Sequence, residues 1–210
     1  MKEKPILFST PMIKAILAGN KTQTRRIIKH FGNEYHYETL LCDWGLSGYP
    51  QLVNNNIWEW TLQTAIDDNQ TFKFKCPFGQ IDDILWVRET WALPVDNEGN
   101  DIGYQYKSDY DDKSNWWKWK PSIFMPKEAC RIKLKITDIR VERIQDISEN
   151  DAIAEGIIMN NSPHPGWYWM EDIYMTDSPT YAYELLWKHI NGKESWESNI
   201  WIWVLQFEKI

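Results

Sequence analysis

The stretch ACRIKLKITDIRVERI, residues 129–144, constrains the fold more than any other part of the chain. Apolar and polar side chains alternate along it, with Ile and Val recurring. It reads as one long bent strand or two consecutive strands. KPILFST (4–10), TQTRRII (22–28), TFKFKC (71–76), DILWVRETW (83–91) and NIWIWVLQFEKI (199–210) also read as extended. Three short helices punctuate them. The first covers 11–18, with Thr10 as its cap and Gly19 as its stop. The second lies in DISENDAIAEGI (146–157), with Ser148 as cap, Asp151 three positions on and Gly156 as stop. The third covers 179–193, ending at Asn191-Gly192.

Most of these strands follow one another without long crossovers. That order predicts an α+β fold: a mixed, largely antiparallel sheet or small barrel with helices at its ends. The 210 residues make one domain, 1–210, with no linker or internal repeat. Three polar and aromatic stretches, near 32–70, 95–121 and 158–179, read as insertions.

The net charge of -7 argues against a protein that coats duplex DNA or long RNA. Any nucleic-acid role is then local, or the substrate is small. Cys42, Cys76 and Cys130 form no CxxC pair, and His30, His36, His164 and His189 show no ligand spacing. No metal and no cofactor are therefore expected. No apolar run is long enough to span a membrane, and the first residues carry no apolar leader, so a cytoplasmic location is expected. The 14 Trp residues are the compositional anomaly. Trp116, Trp117, Trp119, Trp167, Tyr168 and Trp169, with Lys118 and Lys120 nearby, form either a base-stacking platform or a secondary core under the insertions. The acidic run DYDD (109–112) opposes a polyanion crossing that segment.

Three places can carry chemistry. AILAGNKTQTRR (15–26) brings Lys21, Thr24 and Arg26 into a helix end and the strand after it. A hydroxyl near an amine is a nucleophile with its own base, provided that burial or a neighbouring cation such as Arg25 or Arg26 lowers the lysine pKa; the plainer reading is a solvated basic turn. Glu155 ends a short helix, where the dipole disfavours an acid; it is either functional or a frayed surface residue. In WVRETW (86–91), Trp86, Arg88 and Thr90 share one strand face. Arg88 there either recognises a ring or, like Glu89, joins an edge ion pair.

Together these segments resemble the ASCH domain, a PUA-like β-barrel fold. AGNKTQTRR matches its G-x-K-x-x-T-x-R motif, and IDDILWVRET its polar strand start. DISENDAIAEG is similar to its L-T/S-x-x-x-A-x-x-E-G helix, and WVLQFE to its closing strand. The resemblance runs from Ile6 to Phe207. FSTPMIKAILAGNKTQTRR, CPFGQIDDILWVRETW and SWESNIWIWVLQFE further resemble longer ASCH-like proteins of phages and prophages.

The resemblance implies a mixed, largely antiparallel PUA-like barrel with short helices at its ends and Trp-rich insertions. ASCH and PUA-like barrels commonly bind RNA or modified nucleosides. A small bacterial branch hydrolyses the acetyl amide of N4-acetylcytidine with a lysine, a threonine and a glutamate. The motifs carry these roles to Lys21, Thr24 and Glu155, and Arg26 matches the motif arginine. Arg26, with Arg88 and Trp86 from the WVRETW face, is expected to bind substrate. This chain is longer than that branch, and its insertions can reshape the pocket. The expectation is a metal-independent amidohydrolase for an acylated nucleobase or nucleoside. The alternatives are a non-catalytic reader of single-stranded RNA or a modified nucleoside, a ribonuclease, and a phage-related accessory protein. The acyl group, the base and the oligomeric state stay open.

Overall fold

The computed structural model describes residues 1–29, 50–54, 56–62, 70–110, 117–160, 167–169 and 176–210. Strand β1 (Glu3–Leu7) leads through helix α1 (Thr10–Leu17) to β2 (Gln23–Ile27). An antiparallel meander follows: β3 (Gln51–Asn54), β4 (Ile57–Leu62) and β5 (Gln70–Lys75). Next come β6 (Ile84–Arg88) and a short pair, β7 (Trp91–Ala92) with β8 (Gln105–Tyr106). The chain continues through β9 (Lys133–Arg143), α2 (Glu149–Ala154), β10 (Ile158–Asn160) and β11 (Trp167–Trp169). It ends with α3 (Pro179–Asn191), α4 (Lys193–Glu197) and β12 (Trp201–Lys209).

The main sheet has five strands in the order β1-β6-β9-β12-β2. β1 runs parallel to β6 and the other pairs are antiparallel. The class is α+β, as expected. The two edges are β1 and β2, and among the described residues no ladder joins them into a closed barrel. A side chain nonetheless links these edges: Arg26 on β2 donates from Nη2 to the Leu7 carbonyl of β1 at 2.6 Å.

The long alternating stretch is one strand with a bulge. Gln206 of β12 faces Asp138 and Phe207 faces Ile136, so Thr137 is the extra residue. Leu134 and Ile136 before it and Ile139 and Val141 after it are all buried. The inserted residue lets the apolar phase change while the same face stays on the core. β12 lies between β9 and β2 and is covered on both sides. Trp201, Trp203, Leu205 and Phe207 join a core with β1, β6, β9 and the meander; Ile202 and Val204 join a second core with α2 and α3. Two buried faces explain why WIWVL is continuously apolar.

The stretch 32–70 is not wholly an irregular insertion, because β3 and β4 lie within it. Trp58 of β4 is buried, its ring edge-on to Trp203 at 5.5 Å. Residues 30–49 and 63–69, with Cys42, His30 and His36, lie outside the described residues. Of the aromatic insertion residues, Trp119 packs against Tyr110 at 5.6 Å, while Trp116 and the side chains of Trp167, Tyr168 and Trp169 lie outside the described residues. α1 begins one residue earlier than expected, with Ser9 rather than Thr10 at the cap position and no side-chain cap bond. No described helix is long and apolar enough to cross a membrane.

Glu89 does form an ion pair, with Arg131 just before the neighbouring strand β9, but its side chain is buried rather than at an exposed edge. It accepts from Arg131 Nε at 2.9 Å and Ser108 Oγ at 2.7 Å, and the Arg131 guanidinium lies 3.9 Å from the Tyr106 ring. This network ties the turn at 107–109 to the end of β6.

Candidate active site

Gly19 ends α1 with φ +78°, a left-handed conformation that suits glycine and turns the chain towards β2. The turn delivers Lys21 beside the end of α2, where it forms an isolated antiparallel bridge with Glu155. Ser148 caps α2 by accepting from the Asp151 N–H at 3.1 Å, and Glu155 occupies its C-cap. Two short local signals, a glycine stop and a serine cap, thus set the positions of the amine and the carboxylate.

Lys21 donates from Nζ to Glu155 Oε2 at 2.6 Å and to the Glu155 carbonyl at 2.7 Å. The two side chains are 0% and 4% exposed. The solvated-turn and frayed-surface readings are therefore excluded. The acid at a helix C-terminus is compensated by cations on two sides, since Arg25 Nη1 reaches Glu155 Oε1 at 3.3 Å. Burial lowers the Lys21 pKa, and the charges of Arg26 and Arg25 act in the same direction; Glu155 opposes it.

Arg25, offered by the sequence only as a cation near Lys21, has partners that the sequence patterns missed. Its guanidinium is fully buried and bonds Gln23 Oε1 and Glu155 Oε1 through Nη1. Nη2 reaches Glu142 Oε2 at 3.2 Å and Asp151 Oδ2 at 3.4 Å, and the group lies 5.8 Å from the Tyr183 ring centre. Gln23 Nε2 and Arg140 Nη2 both donate to Asp151 Oδ1, at 2.9 and 2.8 Å. Alternation along TQTRRII puts Gln23 and Arg25 on one face and Thr24 and Arg26 on the other. No local pattern pointed to their acidic partners on β9 and α2.

Asp151 responds to this setting. Burial alone would raise its pKa, but hydrogen bonds from Gln23 and Ser148 and the charges of Arg25 and Arg140 bring it to about 2. A carboxylate held below its unfolded value of about 3.9 stabilises the fold above that pH, and the contribution is lost as pH falls through the folded value. Urea midpoints of the wild type should therefore fall between about pH 4 and pH 2. Asp151→Asn should show a shallower fall over that window. Glu3, also held at about 2 by Lys127 and Lys133, contributes to both proteins. Parallel curves for the two would show that Asp151 is not coupled to folding.

Thr24 is buried, 3% exposed, and pairs with Leu205 across the β2–β12 ladder. Among the described residues its hydroxyl has no hydrogen-bond partner. It lines a pocket of about 80 Å³ with Arg25, Arg26 and Glu155; Tyr183, Leu186, Trp187 and Ile190 of α3 cover the other side. A wider surface trough of about 730 Å³ lies near Gly19, Thr22 and Met159 but has no titratable residue in its lining. The Arg26 guanidinium lies 5.2 Å from the Phe8 ring centre, and burial lowers its pKa.

Lys21, Thr24, Arg26 and Glu155 thus come together. Lys21 reaches this pocket only through Glu155 and is not in its lining, and Trp86 and Arg88 do not line it. Arg88 is directed to the carbonyls of Ile123 and Met125, the latter at 3.2 Å, with its guanidinium 5.2 Å from the Trp86 ring. Among the described residues, no group of three or more His, Cys, Asp or Glu side chains is arranged to hold a metal ion. The pocket lining offers Thr24, Arg25, Arg26 and the Glu155 carboxylate to a small ligand, with the Lys21 amine held behind Glu155.

Comparison with protein-family models, curated proteins and solved structures returned no match.

Proposed function

We propose that this chain is an ASCH-like, metal-independent amidohydrolase acting on an acylated nucleobase or nucleoside such as N4-acetylcytidine. The observation that carries the reading is the solvent-shielded Lys21–Glu155 pair, whose Glu155 lines a pocket together with Thr24. In this reaction Thr24 Oγ attacks the amide carbonyl. Lys21, as the free amine, takes the hydroxyl proton and passes it to the departing nitrogen as the C–N bond breaks. Water then attacks the acyl-threonine ester, again giving a proton to Lys21. The carboxylic acid leaves and Thr24 recovers its proton. Glu155 orients Lys21, and Arg26 supplies positive charge for the oxyanion. The downward pull of burial on Lys21 supports its use as a base.

The pocket volume of about 80 Å³ is well below that of sites enclosing a whole drug-sized ligand, roughly 300–1,000 Å³. The reading therefore puts the acyl amide inside and the sugar outside. A neutral nucleoside is compatible with the net charge of -7.

Incubation of the pure protein with N4-acetylcytidine should release cytidine at a rate that changes little with salt. A folded protein that leaves N4-acetylcytidine and related acylated nucleosides intact would overturn the amidohydrolase. One observation favours binding without turnover: Glu155 occupies two Lys21 N–H donors, a geometry that suits the ammonium form. That second reading expects nucleoside binding without hydrolysis. If the ligand is single-stranded RNA instead, affinity should fall steeply with salt as phosphate contacts release counterions.

A further inference from the structure

Arg25 belongs to neither the lysine, threonine and glutamate set nor the motif arginine, yet it touches the same carboxylate as Lys21. Glu155 has two oxygens and two cations: Lys21 Nζ is 2.6 Å from Oε2 and Arg25 Nη1 is 3.3 Å from Oε1. Arg25 is itself held by Gln23 from β2, Glu142 from β9 and Asp151 from α2. A planar fork can meet several acceptors in fixed directions, which a single ammonium cannot do.

We infer that Arg25 is a positioning residue, fixing Glu155 by its second oxygen so that Lys21 can both be held and give up its proton. This inference rests on the amidohydrolase reading for its kinetic consequence but not for its geometry. Without Arg25, the whole negative charge of Glu155 would fall to Lys21. Nζ would then keep its proton to higher pH, and the carboxylate would be free to rotate.

The charged and titratable groups facing this site come from four elements. Lys21, Arg25 and Arg26 lie on or beside β2, Glu142 on β9, Asp151 and Glu155 on or beside α2, and Tyr183 on α3. Burial keeps the Tyr183 phenol well above its ordinary pKa, so it stays neutral across the working range. Lys21, its charge balanced between Arg25 and Arg26 on one side and Glu155 on the other, is the group expected to move.

The test compares wild type, Arg25→Met and Arg25→Lys, each checked for folding by near-ultraviolet circular dichroism. N4-acetylcytidine turnover is measured against pH, and Lys21 Nζ is titrated by nuclear magnetic resonance. Arg25→Met should lower kcat by about 100-fold with KM within about threefold. The acid limb of its kcat profile and the Lys21 midpoint should both move upward by about one pH unit. Arg25→Lys should recover part of kcat and of the shift. A folded Arg25→Met protein with wild-type kcat and an unmoved Lys21 midpoint would overturn the inference. Should Arg25→Met not fold, Arg25→Lys decides alone: a lowered kcat with a raised acid limb supports positioning, and wild-type kinetics overturn it. Absence of turnover in the wild type would remove the enzymatic reading. The Lys21 titration would then decide the positioning claim, a raised midpoint supporting it and an unchanged one ending it.

Discussion

Replacing Thr24 with alanine is expected to lower kcat for acylated nucleosides by about three orders of magnitude or more. Stability should change by no more than about 1 kcal/mol. The small structural effect follows from the contacts. The hydroxyl has no hydrogen-bond partner among the described residues, so its removal strands no buried donor or acceptor. The large kinetic effect follows from the proposed reaction, in which no acyl-threonine can form without Oγ. Thr24→Ser keeps an oxygen and should retain part of the activity. Lys21→Ala should also abolish turnover, but it leaves Glu155 buried with Arg25 as its remaining cation partner, and its melting temperature should drop. Turnover followed beside thermal melts separates the two effects. An active Thr24→Ala enzyme would show that water attacks directly and would remove threonine from the mechanism.

Trp203→Ala is expected to cost about 3–5 kcal/mol, the usual range for truncating a large buried aromatic residue. For a chain of this length that lowers the melting temperature by roughly 6–20 °C. Trp203 lies on β12, an interior strand of the main sheet, and is 2% exposed. Its ring is 5.5 Å from Trp58 and 5.6 Å from Phe74, so it joins the meander to the main sheet. It also faces Arg26 across the β12–β2 ladder. The cavity should therefore loosen the meander and disturb β2. Urea unfolding measures the loss, and hydrogen exchange of β4 and β5 amides reports where it occurs. A cost below about 1 kcal/mol would mean that the meander contributes little to this core.

Much of the framework was legible in the chain. Alternation marked β5, β6 and β9, and the apolar run marked β12. Ser148 and Gly156 set the limits of α2, as Gly19 and Gly192 set the ends of α1 and α3. These signals are local, arising from backbone geometry and side-chain period within a few residues. The change of phase at Thr137 was compatible with two strands or one. Only the pairing with β12 made it a bulge, because a register is a relation between two segments. The meander strand β4 shows as the alternating IWEWTLQ (57–63) within a stretch otherwise of mixed polar and aromatic residues. Its Trp58 gains its place from contact with Trp203 rather than from its neighbours in sequence.

The site divides in the same way. The sequence by itself named Lys21, Thr24, Arg26 and Glu155, through the hydroxyl-amine pairing, the misplaced helix acid and the resemblance to the ASCH motif. It also set Trp86 and Arg88 beside them; the fold keeps both out of the pocket lining and leaves Lys21 behind Glu155. Only the tertiary structure decided that Lys21 and Glu155 are sealed from water, and that Arg25 completes the carboxylate's partners. The partners of Arg25 on β9 and α2 are 117 and 130 residues away in the chain. No periodicity spans that distance. The reason is energetic: a buried charge is tolerated only where opposite charges meet it within a few ångströms, and folding alone brings those groups together.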